Sequence, residues 1–114
     1  MKDTRPLEVR GYHAHVYFDQ ASTDQARVLC EQARDRFGAT MGRMHLKPVG
    51  PHPCWSCQLA FDPDVFGQIM PWLSFNRNGL VVFTHAETGD VLKDHTEHAI
   101  WMGDIMTLDL SALS

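Results

Sequence analysis

The chain has 114 residues, enough to bury one core without disulfide or metal staples, and is read as a single domain over 1–114. A net charge of −4 excludes the basic face that nucleic acid requires, and the small patch of Arg43 and Lys47 beside His45 does not reverse that. No apolar run approaches the roughly 18 residues of a membrane helix, so neither nucleic acid nor membrane is an expected partner. The opening stretch MKDTRPLEVR is charged and lacks the apolar region of a secretory signal, and the three cysteines suit a reducing compartment. A cytoplasmic location is the expectation. Seven histidines are the unusual count, because imidazole titrates near neutrality and is a common metal ligand.

Residues 11–18, GYHAHVYF, alternate strictly and predict a strand, with Tyr12, Ala14, Val16 and Phe18 on one face and His13, His15 and Tyr17 on the other. Ser22 or Thr23 then starts a helix, with Gln25 completing a capping-box pattern after Ser22. Its apolar stripe is Ala26, Leu29, Cys30, Ala33 and Phe37, and Gly38 ends it. A second strand is expected over 40–46, interrupted by Gly42, and the loop KPVGPHP at 47–53 is stiff with proline. The third strand falls at about 54–61. Asp62-Pro63 opens a second helix carrying Val65, Phe66, Ile69, Met70 and Leu73, which Pro71 is expected to kink or shorten. Asn78-Gly79 turns the chain into a fourth strand from Leu80 to Thr84, Thr88-Gly89-Asp90 turns it again, and Asp94 with Glu97 predicts a short helix through Trp101.

The order β-α-β-β-α-β with a C-terminal extension predicts an α+β, ferredoxin-like fold: an antiparallel sheet in the order 4-1-3-2 with both helices on one face. The helix-covered face takes Tyr12, Val16, Phe18, Trp55, Cys57, Leu59 and Phe61. The other, partly polar and without a helix over it, takes His13, His15, Cys54, Ser56 and Gln58. Sheets of this kind pair through such a face, so a homodimer is the expected assembly.

Cys54-x-x-Cys57 resembles a redox or zinc motif, but an offset of three on a strand sends the two thiols to opposite faces. No second pair completes a four-thiolate site. His13 and His15 are different: they share a face, roughly 7 Å apart at Cα, close enough to share a metal. The antiparallel fourth strand brings His85 towards them. His52, on its proline-braced loop, lies at the far end of the first strand and reaches the cluster only by folding over the open face or crossing to a partner copy. His95 and His98 stand three apart on the predicted final helix, a spacing common on exposed faces, and His45 reads as a surface or loop residue.

Four segments carry a resemblance to the DOPA dioxygenase family: GYHAHVYFD at 11–19, KPVGPHP at 47–53 with its following strand, NRNGLVVFTH at 76–85, and ETGDVLKDHTEHAIWMG at 87–103. The order and spacing are preserved over nearly the whole chain. Ala86 departs from the proline that usually follows the fourth-strand histidine in that family. The resemblance implies extradiol cleavage of a small catechol such as DOPA by O2 at a non-haem Fe(II), with zinc or another divalent ion able to occupy the site as purified. On that reading His13, His15 and His85 are the metal ligands, His52 is the acid/base or substrate-contacting residue, His95 completes the catalytic set from behind the ligands or as a fourth site member, and Gln58 and Ser56 contact the substrate. Exchange of His52 for His13 as a ligand is the alternative division of roles. Two other functions compete: a non-enzymatic metal- or small-ligand-binding module of the same fold, and, from the open polar face alone, a cofactor-independent monooxygenase.

Overall fold

The computed structural model describes residues 8–113. Strand β1 (Tyr12–Phe18) is central; its Ala14, Val16 and Phe18 are buried against the helices, as the alternation predicts. Helix α1 (Thr23–Phe37) buries Ala26, Leu29, Cys30 and Ala33 and ends at Gly38, whose φ of 71° suits the left-handed cap and whose N–H donates to the Arg34 carbonyl. The predicted capping box does not form. Ser22 instead exchanges hydrogen bonds with Asp19, and the Gln25 amide donates to the Asn78 carbonyl, tying α1 to the turn before β4.

Strand β2 is short (Thr40–Met41), with one isolated bridge further on between His45 and Ser56. The Gly42 N–H donates to Gln58 and the His45 N–H to Ser56, so three steps on one side meet two on the other. That extra residue is a bulge, and it breaks the strand predicted over 40–46. A Cβ on Gly42 would stand 3.4 Å from the Gln58 carbonyl, which favours glycine there. Strand β3 (Trp55–Phe61) follows, then a 3-10 turn over Pro63–Val65 and helix α2 (Phe66–Asn76). Asp62 makes no cap hydrogen bond, and α2 runs through Pro71 instead of stopping there. Burial of Ile69 and Met70 before the proline and Leu73 after it holds both halves of the helix on the core.

Strand β4 (Val82–Ala86) begins two residues later than predicted, after a turn in which Asn78 and Gly79 both take positive φ. The predicted helix over 94–101 is replaced by a short α3 (Val91–His95) and a fifth strand, β5 (Ile100–Met102). Asp90, not Asp94, caps α3 by accepting from the Lys93 N–H. Asp94 is buried and accepts from the Thr88 N–H and hydroxyl. The apolar triplet Ile100-Trp101-Met102 pairs with the edge of β4, where strand bonds replace helical ones.

The five strands run in the order β2-β3-β1-β4-β5, antiparallel throughout, which is the predicted order with one strand added beside β4. The architecture is α+β and compatible with a ferredoxin-like fold. The second face is less open than its polarity suggested, because α3, the 47–54 loop and the C-terminal segment lie over it. The Asp109 N–H donates to the Pro51 carbonyl, and the Cys54 thiol meets the Met106 sulfur. Cys57 is in the core and Cys54 is not, so the C-x-x-C pair divides between faces as strand geometry requires.

Candidate metal centre

Antiparallel pairing sets His85 of β4 directly across from His13 of β1, and Phe83 across from His15. One nitrogen from each of His13, His15 and His85 lies within 4.8 Å of the other two. His15 Nε2 and His85 Nε2 are 3.1 Å apart. Two imidazole lone pairs repel at that distance unless an electropositive centre lies between them, either a proton on one nitrogen or a cation. The spacing is about what two neighbouring ligands have when each is roughly 2.1 Å from one ion. Imidazole donors suit iron and zinc alike, so the donor set fits the ion that the resemblance implies.

The outer nitrogens fix the tautomers. His13 Nδ1 is 2.9 Å from Glu87 Oε1, a contact that requires the ring to donate N–H and leaves Nε2 as the free donor atom. His85 Nδ1 donates to the Ala86 carbonyl at 3.2 Å, with Glu87 Oε1 at 3.5 Å, and again Nε2 is left free. Glu87 is therefore a carboxylate behind the imidazoles, an arrangement that orients metal-binding histidines and raises their basicity. Its sequence signal was the same alternation that places His85, two residues on and just past the end of β4. Glu87→Ala should weaken metal binding ~10–100-fold in a competition titration with a chelating indicator. Unchanged affinity would remove Glu87 from the centre.

His52 does fold over the face, as the first of the two routes open to it requires. Its ring centroid is 4.1 Å from that of His15, and its Nδ1 lies 2.8 Å from the Tyr17 hydroxyl. His95, at the end of α3, packs with its ring centroid 4.0 Å from that of His85 in a tilted arrangement, with Nδ1 donating to the Val91 carbonyl at 2.7 Å. Five histidines thus share one face; His45 and His98 stand outside the group. Gln58 is opposite His15 on β3 and half-buried, with no side-chain hydrogen bond among the described residues. Ser56 is opposite Tyr17 and buried. Besides Glu87, two residues escaped the sequence reading. Phe83 packs against His15, His52, His85 and His95, and Trp101 closes over Phe83 and Tyr17.

Burial opposes a positive charge on these rings. It pushes the His52 and His85 pKa values down to about 4 and His15 well below the usual imidazole range, with neighbouring histidines adding to the effect. His13 is also lowered by burial, which outweighs the attraction of Glu87. The rings are consequently neutral near pH 7, as metal ligands must be. Below about pH 6.5 the unfolded chain takes protons that the folded chain refuses until about pH 4, so stability rises with pH across that window. Metal-free protein should lose thermal stability progressively as the pH falls from 6.5 through 4. A Tm that stays flat over this range would contradict the neutral cluster.

The fold and site together define an α+β protein with a histidine cluster able to hold a metal ion. The chain belongs to the Dopa 4,5-dioxygenase family, whose model matches residues 12–112. It is 30% identical to the DOPA 4,5-dioxygenase of Amanita muscaria over 93% of this chain and 50% of that protein, so it spans about half the length of that relative. It is 38% identical to an uncharacterised 21.2 kDa protein of Botryotinia fuckeliana, over 96% of this chain and 68% of the relative. A crystal structure of a protein assigned as a dioxygenase from Nostoc punctiforme PCC 73102 is 44% identical, with a TM-score of 0.89 over 92% of this chain and 91% of that one. As for membranes, no helix among the described residues is long and apolar enough to cross one.

Proposed function

We propose that the chain is an extradiol ring-cleaving dioxygenase acting on a small catechol such as DOPA, with Fe(II) held by His13, His15 and His85. The observation that carries this reading is the convergence of three imidazoles on one face, with the outer nitrogens of His13 and His85 already engaged by Glu87 and the Ala86 carbonyl. When bound, such an ion supplies coordination positions at which a catechol and O2 meet. In the net reaction one ring C–C bond beside the diol breaks, and both oxygen atoms of O2 enter the product.

The chain's residues would do the rest. His13, His15 and His85 hold the ion, and Glu87 keeps His13 turned towards it. His95 ties up its Nδ1–H at Val91, so Nε2 is left to accept a catechol proton. His52 stands on the other flank, against His15, where it contacts the bound substrate. Gln58, with an uncommitted amide one strand away, offers a hydrogen bond to substrate, with Ser56 further along the same strand. Phe83, Trp101 and Tyr17 surround the histidines with aromatic surface that limits water.

The test is anaerobic loading with Fe(II), followed by O2 and a panel of catechols including DOPA. A product with new visible absorbance and one equivalent of O2 consumed is expected. Metal uptake that depends on His13 and His85, with no catechol of the panel cleaved, would favour the non-enzymatic binding module.

A further inference from the structure

The Tyr17 hydroxyl is 2.8 Å from His52 Nδ1, in a side chain only 3% exposed, and it has no other hydrogen-bond partner among the described residues. A phenol keeps its proton at neutral pH, and a buried hydroxyl that fails to donate it is left with an unmet hydrogen bond, which destabilises the fold. Two arrangements of the contact are conceivable. If His52 donated from Nδ1, the phenol would accept and its own proton would face no acceptor. If Tyr17 donates, the phenol proton and the Nδ1 lone pair are both satisfied. A neutral imidazole that accepts at Nδ1 carries its proton on Nε2.

His52 Nε2 has no partner among the described residues, yet it is not sealed off. The only fully buried side-chain polar atom without a partner there is Thr84 Oγ1, so Nε2, in a ring packed against His15, is not completely buried. We propose that Tyr17 is a positioning residue that fixes His52 in the Nε2–H tautomer, making His52 a hydrogen-bond donor to a substrate oxygen and not a metal ligand. This rests on the proposed function for the substrate but not for the tautomer. It also gives the two flanking histidines opposite roles. His95, committed at Nδ1–H, accepts at Nε2; His52, accepting at Nδ1, donates at Nε2. A catechol that must lose one proton and have negative charge on oxygen stabilised would find one group for each task.

The experiment is 15N NMR of metal-free, 15N-histidine-labelled protein at pH 8, with His52→Gln to assign the resonances. The wild-type His52 ring should show the Nε2–H pattern, with Nδ1 shifted by an accepted hydrogen bond. Tyr17→Phe, which keeps the ring and loses only the hydroxyl, should abolish that shift and mix the tautomers. In the Fe(II)-loaded enzyme the same variant should lower kcat ~10–100-fold with KM and metal affinity within about twofold of wild type. An Nδ1–H tautomer in the wild type would overturn the proposal, as would an unaltered spectrum and kcat in Tyr17→Phe. If no catechol is cleaved by the wild type, the functional reading falls, while the spectrum still decides the Tyr17–His52 assignment.

Discussion

His15→Ala should abolish metal binding at the centre, lowering affinity by well over the ~100-fold that the loss of a residue behind the ligands can cause. His15 is the pivot of the cluster: its Nε2 is 3.1 Å from His85 Nε2, and its ring packs against His52 and Phe83. With the ring gone, His13 and His85 remain as a two-nitrogen site on adjacent strands, too few donors to hold a divalent ion against water. Ring cleavage should fall to background with it. His45→Ala and His98→Ala, which alter histidines outside the group, should leave metal content unchanged. Equal losses in all three variants would show that the effect is not local.

The second large effect is on stability. Phe83 is fully buried, although it lies on the histidine face and not among the helices. Phe83→Ala should cost ~3–5 kcal/mol, the usual range for a buried phenylalanine. At ~4–8 °C per kcal/mol for a domain near this size, the Tm should fall by ~12–40 °C. The variant should also lose activity at temperatures where it is still folded, because the rings of His15, His52, His85 and His95 all pack on that side chain. Phe83→Leu keeps most of the volume and should recover both properties in large part. A small Tm change with intact activity would mean that the aromatic packing does not organise the site.

The heart of the site was legible because two elementary rules converge on it. Period two puts His13 and His15 on one face, and antiparallel adjacency of the first and fourth strands carries His85 to them. The sheet order followed from the same reasoning, as did the division of Cys54 from Cys57. What was not legible depends on long-range closure. Nothing local in KPVGPHP says that His52 turns back over β1; a backbone bond from Asp109 to Pro51 and the Tyr17 hydroxyl pin it there. Trp101 was misplaced because an apolar triplet after Asp94 fits a helix end as well as an edge strand, and only pairing with β4 decides. Glu87 and Phe83 were readable in principle, each two residues from His85, Phe83 on β4 and Glu87 just past its end. Their importance lies in the partners they meet across the sheet. The capping box at Ser22 failed for a similar reason, since Asp19 and Asn78 offered better partners.

The most direct test of the metal centre is an anomalous diffraction map, collected at the iron edge, from crystals loaded anaerobically with Fe(II). One peak is predicted, roughly 2.0–2.2 Å from one nitrogen each of His13, His15 and His85, with His52 and His95 beside it but unbonded. A peak ligated by His52, or one lying away from these three rings, would contradict the account.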